Sequence, residues 1–440
     1  MMLGKAYLNR GLAALNLLSV LAGCKTSEEQ LAMTKTADVS RYAEFGHDEL
    51  FARDKEKCDW VFEETGLDWV FANVATPGKG VTIALIDTGY LPNPHIKVGS
   101  EVDLGGNGGI LIPSETYAKY IPFTNSAEGG NNPLDVYKKP FVANNWGHGI
   151  SAASVILTPE NPNLPFRGIA PHAQVIPFRA SHSVFISAGI DKQRELGIKG
   201  ISDTAEASQA TSVARAIYNA VDLGVDIINV SMGGLVDLIR TSELTRDPFN
   251  RSNVTFKTSV KMGKGPIKAA VEYAAKQGVV VIAAGGHGPG DGLVLPVPAR
   301  YDEVIGVAAS KEGRKIWEWT FGSEKLEVSS PGTGVCYMRP RELKPTQPVA
   351  GSYLQTLATD SFVRQGQGTT FASSTASGIA AIWFGLAKKK YTDKRERAEM
   401  FRREFRKAAS TPLDTSAKKR DASNYPGLIN AKALIEPLLR

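Results

Sequence analysis

Three glycine-flanked segments carry a carboxylate, an imidazole and a hydroxyl. Asp87 ends an apolar run and precedes Thr88 and Gly89, His148 lies between two glycines, and Thr370 opens a long apolar stretch within GTTFAS. A hydroxyl attacks an acyl carbon well when an imidazole takes its proton and a carboxylate orients that imidazole. Each residue alone also has a common structural role, as a turn former or a helix cap. Together they are the set that nucleophilic acyl transfer requires.

The surrounding sequence predicts the elements that would position these groups. Short apolar, β-branched runs predict strands at 81–87, 174–180, 226–232, 279–285, 303–310 and 325–331. Spacing and composition predict helices at 149–157, 204–223, 267–277 and 370–388. Alternating strands and helices predict an α/β fold, with a mostly parallel central sheet and helices on both faces. Sites in such sheets lie at the carboxyl ends of the strands, which is where Asp87 falls.

The composition excludes several classes of protein. The 440 residues are 42% hydrophobic and 22% charged, which is typical of a globular chain. A net charge of +6 is too mild to indicate nucleic-acid binding. Three cysteines are too few for a disulfide scaffold or a CxxC-type zinc site, and no apolar run reaches the length of a membrane span.

The first 24 residues predict export and lipidation. Lys5 and Arg10 precede a short apolar stretch at 11–23, as in a secretory signal. Leu21-Ala22-Gly23-Cys24 resembles the bacterial lipobox, which predicts a lipid anchor at Cys24 and a place in the cell envelope, in the periplasm or at the outer membrane. The alternative is an unlipidated signal peptide with an incidental cysteine. In an oxidising compartment Cys58 and Cys336 could form a disulfide, or both could be reduced and buried.

The order Asp, His, hydroxyl is the order of the subtilisin triad. The chain resembles the subtilisin-like serine proteases (subtilases) over most of residues 75–435. The matching segments, in family order, are ALIDTGY, WGHGISAA, RGIAPHAQVIPFRA, DIINVSMGG, VVVIAAG, PARYDEVIGVAAS, FGSEKLEVSSPG, GTTFASSTASGIAAI and GLINAKALI. The resemblance implies a three-layer subtilisin-like fold and endopeptidase activity on peptides or proteins. It gives Asp87 the role of orienting His148, and His148 the role of general base.

The resemblance also implies where substrate would bind. Ser231-Met232-Gly233-Gly234 matches the strand edge that pairs with the substrate backbone. Ala283, Ala284 and Gly285 would complete the wall of the S1 pocket. No cofactor is expected.

Two positions depart from the family pattern. Thr370 stands where the family has its nucleophilic serine, and its additional methyl group stiffens χ1 and takes space near the attacked carbonyl. Gly286 stands where the family has the asparagine of the oxyanion hole, and His287 could donate in its place. Ser373 and Ser374 lie about a helical turn further along the chain, too far to replace the nucleophile.

These departures leave three hypotheses. The chain is a hydrolase that uses Thr370, or it is a pseudoprotease that binds a peptide or a partner protein at the envelope without cutting it. The third hypothesis, nucleotide binding by the loop GGHGPGDG, lacks a GxGxxG spacing and explains the sequence less well.

The remaining segments suggest the domain layout. We expect a signal peptide at 1–23, a tether and helical extension at 24–75, and a peptidase domain at 76–440 with a long irregular insertion at 90–145. Asp103, Asn131 and Asp135 in the insertion could hold a structural calcium ion, although no EF-hand spacing supports this. Residues 388–420 carry 13 basic and 5 acidic residues. We interpret them as a solvated helix face with Phe401 and Phe405 turned inward; the alternative is contact with anionic lipid.

Overall fold

The computed structural model describes residues 49–87, 148–180, 203–232, 238–246, 254–262, 265–288, 295–340, 361–418 and 422–440, with a few positions between 89 and 111. The strands are β1 (Thr82–Asp87), β2 (Val98–Gly99), β3 (Gly109–Leu111), β4 (Gln174–Arg179), β5 (Ile227–Val230), β6 (Leu238–Arg246), β7 (Val254–Met262), β8 (Val280–Ala284), β9 (Val304–Lys311), β10 (Lys315–Ile316), β11 (Leu326–Pro331), β12 (Thr333–Pro340) and β13 (Ser361–Gln367). The helices are α1 (Glu56–Thr65), α2 (Leu67–Asn73), α3 (His148–Leu157), α4 (Asp203–Asp222), α5 (Pro266–Lys276), α6 (Thr369–Ala387), α7 (Lys394–Ala408) and α8 (Ala431–Ile435). Short 3₁₀ turns lie at Ala52–Asp54, Ala422–Asn424 and Glu436–Leu438.

A mostly parallel sheet forms the centre of the fold, as the sequence predicts. Its strand order is β10-β9-β8-β5-β1-β4-β3-β2, with β11 paired to β9. Within the described sheet, only β10 runs antiparallel to its neighbour. Strand β1 lies between β4 and β5, so its carboxyl end lies in the middle of the row of strand ends on one side of the sheet.

Side chains alternate across the sheet and divide the interior into two layers. Ile83 and Leu85 of β1 join the cluster formed with α3, α6 and α7, whereas Ala84 and Ile86 join the cluster formed with α4 and α5. All four are fully buried. The sheet is therefore covered by helices on both faces, and a three-layer α/β architecture results.

The N-terminal helices pack into the same interior. Trp60, Phe62 and Leu67 of α1 and α2 are buried in the cluster that contains α3 and α6. A disulfide joins Cys58 of α1 to Cys336 of β12, which is the first of the two arrangements that the sequence left open. The boundary between residues 75 and 76 stays a prediction, but residues 56–73 pack as part of the core.

Two hairpins and the three short strands β2, β3 and β10 were not predicted. Strands β6 and β7, which follow β5 in the chain, pair with each other. Strands β12 and β13 pair immediately before α6. Within the predicted irregular insertion, β2 and β3 extend the sheet beyond β4, so the insertion is not irregular at those positions. Strand β13 ends at Gln367, so the β12–β13 hairpin leads directly into the helix that carries Thr370.

One face of the basic helix α7 packs against the rest of the domain. Phe401 and Phe405 are fully buried, with ring centroids 4.8 Å apart. Arg402 and Arg406 of α7 both pair with the carboxylate of Glu327. The two phenylalanines therefore face inward as expected, while Arg403 and Lys407 on the same helix remain exposed.

One helix corrects the expectation that no segment is long and apolar enough to span a membrane. Helix α6 passes that test by length and composition, yet 89% of its apolar window is buried inside the protein. Its apolar residues therefore serve as the core of the α/β fold.

Candidate active site

The carboxylate and the imidazole meet because two chain segments approach very closely. Asp87 ends β1, and His148 is the first residue of α3. A Cβ on Gly149 would lie only 1.8 Å from the carbonyl oxygen of Gly89, so glycine is required where α3 begins. This close approach sets the imidazole over the carboxyl end of β1.

The contact between Asp87 and His148 fixes how the imidazole is oriented. Nδ1 of His148 lies 2.8 Å from both carboxylate oxygens of Asp87. The Asp87 side chain is fully buried, whereas His148 is 21% exposed. A buried carboxylate accepts the proton of Nδ1, so the neutral imidazole presents the lone pair of Nε2 to the cleft.

The hydroxyl of Thr370 completes the triad geometry. Oγ1 lies 3.2 Å from Nε2 of His148, within hydrogen-bonding range. Thr370 is in the first turn of α6, after Gly368, whose φ of 144° belongs to the region that favours glycine. The structure therefore brings Asp87, His148 and Thr370 together in the order that the sequence predicts.

A second acceptor competes for the proton of the Thr370 hydroxyl. Oγ1 also lies 2.8 Å from the carbonyl oxygen of Ser231, the residue that follows β5. A hydroxyl donates one hydrogen bond at a time. When Ser231 accepts it, Nε2 of His148 does not, so the hydroxyl is activated only when it turns towards the imidazole.

Gly286 has a conformation and surroundings that exclude a side chain. It lies two residues beyond β8 with a φ of +83°. A Cβ there would come within 2.7 Å of Pro296 Cγ and 2.9 Å of Phe321 Cδ2. The sequence has no asparagine here, and the space that a Cβ would take is occupied by the side chains of a proline and a phenylalanine. The backbone N–H of Gly286 donates to Oγ1 of Thr369 over 3.1 Å.

His287 reaches the start of α6. Its Nδ1 lies 3.2 Å from Oγ1 of Thr369 and accepts a bond from the backbone N–H of Thr369 over 3.4 Å. Its ring packs against Trp317, with centroids 5.0 Å apart. Desolvation of the ring and the charge of His148 lower the pKa of His287 from 6.5 to about 4. With its pKa lowered, the imidazole of His287 is neutral at neutral pH.

The residues expected to bind substrate lie along the same edge. Ser231 and Met232 follow β5, and Ala283 and Ala284 end the adjacent strand β8. All four residues are buried. Gly285 follows β8 and donates to the carbonyl of Val307.

Other predicted positions are outside the described residues. They are Cys24, Asp103, Asn131, Asp135, Gly233 and Gly234. Among the described residues, no group of three or more His, Cys, Asp or Glu side chains could hold a metal ion.

Thr369 had no role in the sequence interpretation. Its hydroxyl accepts a hydrogen bond from the N–H of Gly286 and lies within hydrogen-bonding distance of Nδ1 of His287. Thr369 therefore connects both residues to the start of α6. The paired threonines of GTTFAS are the signal that could have drawn attention to it.

The hydroxyls of Ser373 and Ser374 point back along α6. They donate to the carbonyl oxygen of Thr370 over 3.0 and 2.9 Å, and both residues are fully buried.

The parallel sheet, the strand-end carboxylate and the helix-borne hydroxyl define the architecture of a triad hydrolase. Comparison of the chain with protein families agrees with this: residues 78–423 match the model of the Subtilase family. The chain belongs to the subtilase family.

Sequence relatives are distant. Mycosin-1 of Mycobacterium tuberculosis is 26% identical over 241 residues, covering 54% of this chain and 42% of that protein. The minor extracellular protease Epr of Bacillus subtilis is 24% identical, covering 81% of this chain and 38% of that protein. The chain thus spans about two fifths of the length of these relatives. The major intracellular serine protease of Bacillus subtilis is 23% identical, covering 77% of this chain and 78% of that protein.

Solved structures agree on the fold. The MycP3 protease from the type VII (ESX-3) secretion system has a TM-score of 0.51 at 18% identity, covering 89% of this chain and 93% of that one. MycP1 from the ESX-1 type VII secretion system has a TM-score of 0.52 at 19% identity, covering 86% and 84%. At these identities the likeness shows the subtilisin-like fold alone.

Proposed function

We propose that the protein is an endopeptidase that cleaves peptide bonds with Thr370 as its nucleophile. The observation that carries this proposal is the continuous chain of contacts from Asp87 through His148 to the Thr370 hydroxyl, at 2.8 and 3.2 Å. Both nitrogens of one imidazole are engaged as a general base requires. Membership of the subtilase family supports the class of reaction.

The chemistry follows from this geometry. His148 Nε2 takes the proton of Thr370 as Oγ1 attacks the scissile carbonyl carbon, and a tetrahedral oxyanion forms. Asp87 stabilises the imidazolium, which then gives its proton to the leaving amine as the C–N bond breaks. Water, deprotonated by His148, hydrolyses the acyl ester on Thr370 and restores the hydroxyl. The methyl of Thr370 slows each attack because it restricts the rotation of Oγ1.

The substrate would be an extended peptide or protein segment. Ser231, Met232 and the following Gly233 and Gly234 would offer backbone groups to it as an added strand. Ala283, Ala284 and Gly285 would line the neighbouring pocket. No cofactor takes part in this mechanism.

The alternative is a pseudoprotease that binds a peptide or a partner protein without cutting it. Two observations favour this candidate: Phe321 and Pro296 fill the space at Gly286, and the Thr370 hydroxyl is closer to the Ser231 carbonyl than to His148. An intact peptide-binding edge would persist in either case.

We further propose that the chain acts at the cell envelope, held by lipid on Cys24. The signal-like residues 1–23 support export, and the disulfide between Cys58 and Cys336 is of the kind that persists in oxidising compartments. Metabolic labelling with a radioactive fatty acid should mark the wild-type chain and leave Cys24→Ala unlabelled. Equal labelling of both chains would refute the anchor.

The test of activity is labelling of the detergent-solubilised full chain with a fluorophosphonate probe. We expect labelling of the wild type and none of Thr370→Val, which keeps the shape of threonine without its hydroxyl, or of His148→Ala. If the wild type and Thr370→Ser both remain unlabelled, the endopeptidase proposal is wrong and the pseudoprotease is favoured.

A further inference from the structure

We propose that His287 supplies the oxyanion donor that the chain lacks at Gly286, acting through Nε2–H together with the backbone N–H of Thr370. This inference rests on the proposed endopeptidase function. It assigns to one histidine the task that an asparagine side chain at the preceding position performs in the family pattern.

The hydrogen bonds of His287 determine which nitrogen carries its proton. The backbone N–H of Thr369 can only donate, and it points at Nδ1 over 3.4 Å. Nδ1 must therefore be the unprotonated nitrogen. The Thr369 hydroxyl, 3.2 Å away, accepts from Gly286 N–H and can direct its own proton to Nδ1 as well. A neutral imidazole with a bare Nδ1 carries its proton on Nε2.

Nε2–H has no acceptor among the described residues. The same holds for the backbone N–H of Thr370, one of the unpaired donors at the start of α6. The two unpaired N–H groups therefore belong to two residues next to Thr369: His287, which contacts it, and Thr370, which follows it in the chain. The residue His287 is exposed to solvent, which leaves its free donor accessible to a bound substrate.

The surroundings hold the ring in place. Trp317, which is 2% exposed, packs against the imidazole, and the backbone of His287 bridges to Thr320. A Cβ on Gly368 would lie 3.3 Å from Cε1 of the ring, which places the imidazole beside the segment that leads into Thr370. A donor fixed before the reaction costs no reorganisation when charge develops on the substrate oxygen.

The arrangement also explains why Gly286 is tolerated. Since Phe321 and Pro296 occupy the space next to Gly286, a donor has to come from the next residue. Thr369 anchors that residue from the far side. The loss of asparagine and the gain of an anchored histidine are then one rearrangement of the same loop.

The test compares His287→Phe, which keeps the ring on Trp317 without a donor, with His287→Gln, which keeps an N–H. The full chain is assayed by the rate of peptide hydrolysis, in the wild type and in the Thr370→Ser background. In subtilisin, removing one such donor lowers kcat roughly 10²–10³-fold. We expect a loss of that order for His287→Phe with little change in KM, and a smaller loss for His287→Gln.

Three results would overturn the inference. They are retained activity in His287→Phe, an equal loss in the two variants caused by a raised KM, and a ¹⁵N spectrum of the resting protein that places the proton on Nδ1. The failure of the parent proposal looks different. In that case, no hydrolysis occurs in any chain, including Thr370→Ser with His287 intact, and the oxyanion role falls together with the endopeptidase.

Discussion

The hydroxyl of Thr370 lies 2.8 Å from the carbonyl oxygen of Ser231, closer than its 3.2 Å separation from Nε2 of His148. The resting hydroxyl thus has a neutral acceptor on one side and its general base on the other. A threonine holds its hydroxyl in few rotamers because the methyl group occupies another staggered position. The balance between the two acceptors therefore governs how often the nucleophile is ready to react.

Replacing Thr370 by serine should raise the rate of probe labelling. Serine can adjust its χ1 to bring Oγ towards the attacked atom without moving a methyl group, and misplacement by about 1 Å costs roughly a hundredfold. We expect Thr370→Ser to label about 10–100 times faster than the wild type, with Thr370→Val as the unreactive control. A serine variant no faster than the wild type would mean that the methyl group does not limit the site.

Restoring a side chain at Gly286 should damage the protein rather than improve it. The φ of +83° and the contacts with Pro296 and Phe321 both oppose a Cβ, and such a backbone position costs about 1–3 kcal/mol for other residues. Gly286→Ala should lower the free energy of unfolding by that amount or more. Gly288→Ala is the matched control, because its Cβ would meet Phe321 only at 3.4 Å. Equal stability of the two variants in urea melts would contradict this account.

The sequence predicted the strand ends well because their signals are local. Asp87 follows four consecutive apolar residues, and the predicted and observed starts of α3 and α6 differ by a single residue. The relation between His287 and Thr369 could not be predicted in this way, since 82 residues separate them and the contact depends on how β8 meets α6. The β12–β13 hairpin was not predicted because the sequence of β12, TGVCYMRP, shows no clear alternation of apolar and polar residues.

The side chains that fill the space next to Gly286 could not be predicted from the sequence either. The sequence shows that asparagine is missing there, but it does not show that Phe321 and Pro296 replace it. Those residues come from loops around β9 and β10, and only the folded chain brings them to the end of β8. Because Pro296 and Phe321 fill this space, replacing Gly286 by asparagine would not by itself restore the missing donor.

His287 should make stability depend on pH in one direction. Desolvation and the nearby His148 lower its pKa in the folded protein, so the unfolded chain binds the proton more tightly. The contribution is present above pH 6.5 and is lost as the pH falls from 6.5 towards about 4. We expect the wild type to lose stability relative to His287→Gln across that range in urea melts. Parallel curves for the two proteins would show that the histidine is not protected in the folded state.

The chain segments at Gly149 and Gly89 leave no room for a side chain, so substitution of Gly149 should impair the site. A Cβ would lie 1.8 Å from the carbonyl oxygen of Gly89, and α3 would have to move away from the end of β1. Gly149→Ala should therefore lengthen the contact between His148 and Asp87 and reduce labelling by at least about tenfold. Ala152→Gly, in the same helix, is the control for a general effect on α3. Unchanged labelling in Gly149→Ala would mean that the loop at Gly89 yields without moving the imidazole.

Removing the disulfide should destabilise the protein at the strand that leads to the nucleophile. Cys58 of α1 and Cys336 of β12 are 278 residues apart in sequence, and loss of a native disulfide typically costs about 2–5 kcal/mol. The double variant Cys58→Ser/Cys336→Ser avoids leaving one unpaired thiol, which either single variant would create. We expect a lower free energy of unfolding that reductant does not change further, whereas reductant should lower the stability of the wild type. Since β13, the partner of β12, runs into the helix of Thr370, we also expect slower probe labelling in the double variant. A double variant as stable as the oxidised wild type would show that packing of Trp60 and Phe62 alone holds α1 in place.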